Sequence, residues 1–166
     1  MKKLAALALL ALSPTLMAFT ALTIVKTSAV VSDPQNNLLP KRVPGAFVDY
    51  TTTITNPNSA ITTVNGVTFT DAIPANTQLR VSDLGALIPG PVEFTAGLSL
   101  LTYTYTSLGS TTDRIDFSSD NGATWTYTPV ADANGCDGKV TNIRVRLGGN
   151  QVAGSNFSIR FRVRVK

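Results

Sequence analysis

The stretch VPGAFVDYTTTITNPNSAITTVNGVTFTDAIP, residues 43–74, decides the fold that we predict for this chain. After a Pro-Gly turn signal at residues 44–45, apolar and polar residues alternate over residues 48–55, the period of two expected of a strand with one buried face. Residues 56–59 favour a turn and end that strand, and a second β-rich run follows at residues 64–71. Two such runs without a helical period predict antiparallel strands of a β-sandwich or barrel.

The same alternation continues to the C-terminus, and it is clearest over residues 140–147 and 157–166. An Asn-Gly pair at residues 121–122 predicts a tight hairpin turn with a return strand at residues 123–129. Gly and Pro interrupt residues 84–97, which are predicted to form a long excursion. About eight to ten short strands and no helix after the N-terminal segment favour an all-β, single-domain Greek-key sandwich.

Spaced residues of the opening stretch resemble the motif of an Ig-like repeat family known as domain of unknown function eleven. The matching positions are Pro44, Gly45, Tyr50, Asn56, Val67, Asp71 and Pro74. Residues 117–129 and the Arg-rich last strands are also similar to bacterial members, whereas residues 84–109 fit least well. The resemblance implies an Ig-like sandwich in a secreted or surface-attached protein with no assigned enzyme activity. Members often carry tandem repeats, and this chain carries a single copy.

The N-terminal segment has the pattern of a secretory signal peptide. Lys2 and Lys3 precede an apolar run at residues 4–12 that is too short to span a bilayer, and Ala18 offers a small residue for cleavage. This pattern predicts a secreted protein, extracellular or at the cell surface, without stable membrane insertion. The alternative is an uncleaved N-terminal anchor. The predicted segments are a signal peptide (1–18), an N-terminal β-strand (19–31), a flexible loop or linker (32–43) and the Ig-like sandwich (44–166).

The chain lacks the residues that most enzyme sites require. It contains no His, so a Ser-His-Asp triad and a His-bearing zinc site are both impossible. Its acidic residues are scattered, which disfavours a glycosidase, since that chemistry needs two convergent carboxylates. We expect no enzyme activity and no cofactor. Asp132, Asn134 and Asp137 lie in one Gly-bearing loop, where calcium binding is the alternative to ordinary turn formation.

Two further features concern covalent chemistry. Cys136 is the single cysteine, so it cannot form an internal disulfide and is either a free surface thiol or a partner in a bond between chains. Lys26, Asn56 and Asp71 are the residue types of an intramolecular Lys–Asn isopeptide, a crosslink found in extracellular Ig-like pilin domains. Spacing in the sequence does not decide whether these three residues meet.

The last two strands carry many basic residues, which would share one face if the strands paired. They are Arg144, Arg146, Arg160, Arg162, Arg164 and Lys166, and no acidic residue occurs from Lys139 onward. Three interpretations are open: a solvated face that guards the strands against edge pairing, a docking surface for an anionic glycan, or a contact with carboxylates of a neighbouring subunit. Nucleic acid is not expected, because no exposed aromatic residues alternate with these charges.

The N-terminal strand leads to the functional hypothesis. Leu22, Ile24 and Val25 belong to an apolar, β-branched run, and the linker would let it pack in its own domain or reach a neighbour. We therefore predict a structural protein that assembles head to tail with copies of itself, by β-strand addition, into an extracellular filament or matrix layer. The alternative is a monomeric surface or periplasmic module that binds an anionic glycan through the Arg-rich strands.

Overall fold

A computed structural model describes residues 19–59 and 62–166, so the predicted signal peptide at residues 1–18 lies outside the described residues. The described residues contain strands and no helix, and therefore no helix that could cross a membrane. The strands are β1 (Thr23–Ser32), β2 (Phe47–Thr55), β3 (Val64–Asn65), β4 (Thr68–Ala72), β5 (Thr77–Arg80), β6 (Val92–Thr95), β7 (Leu100–Thr102), β8 (Ile115–Ser118), β9 (Cys136–Asp137), β10 (Asn142–Arg146), β11 (Gly148–Gln151) and β12 (Asn156–Val165).

The first layer is a six-stranded antiparallel sheet with β12 at its centre. Its strand order is β1-β2-β12-β5-β9, and β6 also pairs with β12. One edge of β12 pairs with β2 along nearly its whole length, while β6 and then β5 occupy successive parts of the other edge. Four alternate side chains of β12 are at most 1% exposed: Phe157, Ile159, Phe161 and Val163. The alternation predicted for the last strand is confirmed.

The second layer consists of two short three-stranded sheets, ordered β4-β10-β8 and β3-β11-β7. Because β3 leads into β4 and β10 leads into β11, the two sheets are the halves of one bent layer. Backbone hydrogen bonds cross the bend: the N–H of Leu147 donates to the carbonyl of Val67 (2.9 Å), and Gly66 donates to Gly149 (3.4 Å). The strand predicted at residues 64–71 is therefore divided in two at Gly66.

A single cluster of buried apolar side chains draws on strands of both layers. Phe161 of β12 and Leu79 of β5 enter it from the first layer, and Ile143 and Val145 of β10 enter it from the second. All four are fully buried. The predicted all-β class is confirmed, and the antiparallel sheets around this cluster are compatible with a β-sandwich.

The N-terminal strand is part of the first layer. β1 pairs with β2 in register from Thr23 opposite Thr55 to Ser32 opposite Phe47. The strand thus covers Thr23–Ser32 rather than residues 19–31. In this structure it packs in its own domain, which is one of the two arrangements that the sequence left open.

The segment predicted as a flexible loop or linker, residues 32–43, is a loop after Ser32, and the carboxylate of Asp33 organises it. Asp33 is 6% exposed and accepts hydrogen bonds from the backbone N–H groups of Gln35 (3.1 Å), Asn37 (3.2 Å) and Lys41 (2.8 Å). It also accepts one from the side-chain amide of Asn37 (2.8 Å). These bonds hold the pKa of Asp33 below its usual value. Asx side chains organise turns in this way, so a polar composition did not mean a mobile segment.

Several strand boundaries differ from the sequence prediction. The excursion at residues 84–97 contains β6, which its flanking Pro and Gly residues concealed. The turn at residues 121–122 has the two positive φ angles expected of Asn-Gly, 59° and 84°. The return strand at residues 123–129 is reduced to a single bridge between Tyr127 and Phe117. The following loop includes the short strand β9.

Cys136 is a free thiol, as one of the two alternatives from the sequence had it, but at 0% exposed it is fully buried and not at the surface. It belongs to β9, which pairs with β5, and its thiol lies 3.7 Å from the carbonyl oxygen of Asn134. Burial, with a smaller contribution from the charge of Asp132, raises the pKa of the thiol to about 11. The thiol is therefore protonated at neutral pH and shielded from reagents.

We expect Cys136 in the folded protein to react very slowly with Ellman's reagent at pH 8, because the thiolate is scarce and the sulfur is covered. In denaturant the same thiol should react completely within the mixing time. The measurement is absorbance at the thionitrobenzoate band with and without denaturant. Equal rates in both conditions would show that β9 does not cover the sulfur.

Candidate functional site

The exposed edge of β1 is the first candidate interaction surface. β1 ends the strand order of its sheet, and β2 is the strand with which it pairs in the described residues. All of its residues are exposed except Val30, which is half-buried. Ile24 is 64% exposed and Val25 54% exposed. The outer edge therefore presents open backbone groups and apolar side chains, a combination that favours pairing with another strand.

A groove separates the edge of β1 from the edge of β4 in the second layer. It has a volume of about 330 Å³ and is mainly apolar. Leu22 and Ile24 line one side of this groove, so two of the three predicted donor-strand residues lie against their own domain. Thr52 also lines the groove; it is 2% exposed, and its hydroxyl has no hydrogen-bond partner. The groove thus contains a polar group that its present walls do not satisfy.

An ion pair between Lys26 and Asp71 joins the two sides of this groove. The Lys26 ammonium lies 2.6 Å from a carboxylate oxygen of Asp71, and 5.2 Å from the ring centroid of Tyr50. Lys26 is the charged residue of β1. Because it is directed toward β4, it guards the outer edge of β1 less than a free lysine would.

The residues predicted for an isopeptide are only partly brought together. Lys26 and Asp71 meet as an ion pair. Asn56 is 0% exposed and is bonded elsewhere. Its amide nitrogen donates to the carbonyls of Thr62 (3.0 Å) and Gln151 (3.2 Å), and its amide oxygen accepts from Asn58. Asn56 therefore anchors the turn after β2, and the isopeptide stays a prediction without structural support.

The single basic face predicted for the last strands is not formed, and this prediction is wrong. It required β10 and β12 to pair, but β10 pairs with β4 and β8, while β12 pairs with β2, β5 and β6. Arg144 and Arg146 consequently lie on the second layer. Arg160, Arg162 and Arg164 lie on the first, and Lys166 follows the end of β12. Similar strands can lie next to each other in sequence and still belong to different layers.

Four of these basic residues are neutralised by acids from other strands. Asp116 of β8 contacts Arg144 and Arg146, each at 2.8 Å. On the first layer, Asp49 of β2 binds both Arg160 and Arg162, and Glu93 of β6 lies 2.6 Å from Arg160. In the described residues Arg164 and Lys166 form no ion pair. The acids escaped the sequence prediction because they lie far from the arginines along the chain.

The Asp49 cluster, defined as Asp49 with Arg160 and Arg162, is partly shielded from water. The Asp49 side chain is 13% exposed, and the two arginines are 21% and 18% exposed. Burial alone would raise the pKa of Asp49, but hydrogen bonds and charges from Arg162 and Arg160 outweigh it and hold that pKa below its usual value. The cluster therefore stabilises the fold while its carboxylate is ionised.

The loop considered for calcium uses its carboxylates for turn structure. Asp132 accepts hydrogen bonds from the N–H groups of Asn134 (2.8 Å) and Cys136 (2.9 Å). Asp137, 5% exposed, accepts from the Tyr127 hydroxyl and from the N–H of Val130, each at 2.8 Å. Burial and the Asp137 carboxylate together raise the pKa of Tyr127 to about 12. No acidic cluster that could hold a metal ion occurs among the residues that the structure describes.

An aromatic cleft, defined by Phe94, Tyr103 and Tyr105, was not identified from the sequence. It lies between β6 and residues 103–105 and has a volume of about 490 Å³. β7 ends at Thr102, so Tyr103 and Tyr105 lie just beyond the strand, and both rings are half-buried. The sequence feature that could have indicated the cleft is the pair of tyrosines just beyond the strand.

No protein-family model matches this chain, and comparison with curated proteins and with solved structures gives no match either. The resemblance to the Ig-like repeat family therefore stays a prediction. A function can therefore be proposed only from the geometry of the chain itself.

We expect Asp49→Asn to lower the free energy of unfolding by about 1–3 kcal/mol, because it leaves the poorly exposed Arg162 without a carboxylate partner and Arg160 with Glu93 alone. The measurement is urea denaturation at pH 7. Asp116→Asn is the matched control: its arginines are 31% and 45% exposed, so the loss should be smaller, below about 1 kcal/mol. Equal losses in the two variants would show that burial of the Asp49 cluster does not matter.

The Asp49 cluster also predicts acid sensitivity. Because the folded-state pKa of Asp49 lies below the unfolded-state value of about 3.9, its contribution is complete above that pH and is lost as the pH falls through the folded-state pKa. Asp120, whose pKa is lowered to about 2 by hydrogen bonds from Ser118 and Thr124, adds a loss of the same sign. The melting temperature of the wild type should decrease as the pH is lowered below about 4, and that of Asp49→Asn should decrease less steeply over the same pH range.

Proposed function

We propose that this protein is a structural subunit that assembles by β-strand addition through β1 into an extracellular filament or matrix layer. The observation that carries the proposal is the position of β1: it is a ten-residue edge strand, almost entirely exposed, with an open outer edge. Edge strands of this kind pair with other chains unless they are short, charged or covered.

The contacts of β1 favour exchange between subunits. β1 is held mainly by its pairing with β2 and contributes little to the buried core, since only Leu22 and Val30 near it pack against the core cluster. The β1 strand of a neighbouring copy offers the same side chains to β2 in the same register. The exchange therefore costs few unique contacts, which is the condition for swapping an identical element.

Exchange in one direction would produce a head-to-tail chain of subunits. A subunit that gives its β1 to the next copy must receive β1 from the previous one, so the contact is heterologous and extends into an open fibre unless the rotation closes a ring. The turn organised by Asp33 would act as the hinge, because it connects β1 to β2.

The proposal includes an Ig-like Greek-key sandwich, secreted after cleavage near Ala18, without enzyme activity. The antiparallel layers, the apolar N-terminal segment and the absence of His support these points. The alternative, a monomeric module that binds an anionic glycan through the Arg-rich strands, loses its main support. Four of its six basic residues are already paired with carboxylates.

A cysteine pair can distinguish strand exchange from a β1 that stays in its own chain. Val25 lies opposite Thr53 in the pairing of β1 with β2. If subunits exchange β1, oxidised assemblies of the double variant Val25→Cys/Thr53→Cys should yield ladders of more than two covalently linked chains on non-reducing gels. Free thiols are alkylated before denaturation, and electron microscopy of the same sample identifies fibres.

The single variant Val25→Cys is the control, because it can link at most two chains. Fibres of the double variant that dissociate into internally crosslinked monomers would contradict strand exchange, since β1 would then remain on its own β2. Absence of any regular assembly of the wild-type protein at high concentration would overturn the structural role itself.

A further inference from the structure

We propose that the aromatic cleft binds an uncharged glycan, with Phe94, Tyr103 and Tyr105 as the stacking surface. The inference is independent of assembly through β1, because the cleft and the β1 edge use different residues. The proposed glycan-binding surface is therefore aromatic, in contrast to the basic strands that the sequence suggested for binding an anionic glycan.

The wall of the cleft is held in place before any ligand arrives. The carboxylate of Asp83 accepts a hydrogen bond from the N–H of Gly90 (2.7 Å), and the Asp83 carbonyl accepts one from the Arg80 guanidinium (3.1 Å). Gly90 has a φ of +82°, and a Cβ at this position would lie 2.6 Å from the Tyr105 ring. Only glycine both adopts this backbone and leaves room for the ring. Gly90 thus lets the Tyr105 ring pack directly against the loop that contains it, which fixes the position of the ring.

Phe94 and Tyr103 are in direct ring contact, and Tyr105 lines the same cleft. The ring centroids of Phe94 and Tyr103 are 6.2 Å apart at an interplanar angle of 51°, which is direct aromatic contact. Phe94 also contacts Phe157 of the core at 6.0 Å, so the ring pair is anchored to β12. Rings that touch one another leave no gap for a cation between them. A half-buried aromatic surface instead matches the apolar C–H face of a sugar ring.

The charges around the cleft favour a neutral ligand. Glu93 lines the cleft, but its carboxylate is bound to Arg160 at 2.6 Å and is compensated. Burial, with smaller contributions from the negative charges of Asp113 and Asp83, raises the pKa of Tyr105. No Lys or Arg is among the described residues that line the cleft, so an anionic sugar would find no cationic partner there, whereas a neutral sugar needs none.

Polar groups at the cleft can meet the hydroxyl groups of a sugar. Thr104 is exposed and Tyr105 is half-buried, and both line the cleft with hydroxyl groups. The hydroxyl of Tyr103 is buried, so it is not among the groups that a ligand in the cleft can reach. The volume of about 490 Å³ falls in the range of roughly 300–1,000 Å³ that is usual for small-molecule sites. Stacking together with a few hydroxyl contacts is the chemistry expected for one or two sugar units.

The test is affinity electrophoresis of the full chain through gels that contain neutral polysaccharides (mannan, laminarin, xylan, dextran or soluble starch) or the anionic polysaccharide alginate. We expect retardation by at least one neutral polymer and not by alginate. Tyr105→Ala should weaken that binding roughly tenfold, the effect of losing about 1.4 kcal/mol of stacking. Tyr103→Phe should bind like the wild type, because it keeps the ring and removes only a hydroxyl that is buried away from the cleft surface.

Trp125→Ala is the matched control, since Trp125 is a half-buried aromatic residue outside the cleft. The Arg144 guanidinium carbon lies 4.6 Å from the centroid of the Trp125 ring. The binding of this control variant should equal that of the wild type. The proposal is overturned if no neutral polymer retards the wild type, if alginate alone does, or if folded Tyr105→Ala and Trp125→Ala bind equally. None of these outcomes bears on strand exchange, which is measured with the cysteine pair.

Discussion

The arrangement of this protein depends on the burial of one face of β12. Phe157, Ile159, Phe161 and Val163 point into the core, and the period of two then directs Arg160, Arg162 and Arg164 to the opposite face. Pairing on both edges of β12 brings strands with acidic residues to that face, Asp49 from β2 and Glu93 from β6. The ion pairs are thus a consequence of core burial and of register: where the apolar side chains go decides where the charges meet.

This dependence explains what the sequence could and could not predict. The alternation in β2, β10 and β12 is local, so the strands and their buried faces could be derived from a few residues at a time. The strands that join β12 lie far from it in the sequence, by 111 positions in the ion pair of Arg160 with Asp49. Nothing in the residues near β12 specifies those partners. The prediction of a shared basic face failed at that step, since it assumed that neighbours in sequence are neighbours in the sheet.

The predictions of short elements differ from the structure for another reason. The strand β6 has four residues that follow Pro89 and Pro91 and precede Gly97, and the turn after β1 is built by the single carboxylate of Asp33. In both cases tertiary hydrogen bonds define the element, so propensity alone favours a loop. The aromatic cleft follows the same rule. The positions of Tyr103 and Tyr105 depend on where β7 ends and on the conformation of Gly90, neither of which periodicity reveals.

Two layers of open sheet must leave seams where their edges do not pair, and both proposed surfaces lie at such seams. At one, β1 and β4 face each other across the groove and are joined by Lys26 and Asp71. At the other, β6 faces residues 103–105 across the aromatic cleft. The first seam is bordered by an exposed strand with unpaired backbone groups, which suits another strand, while the second is bordered by half-buried rings and hydroxyl groups, which suit a small polar ligand. Because the seams use different strands, a subunit joined to its neighbours through β1 would keep its aromatic cleft open to solvent.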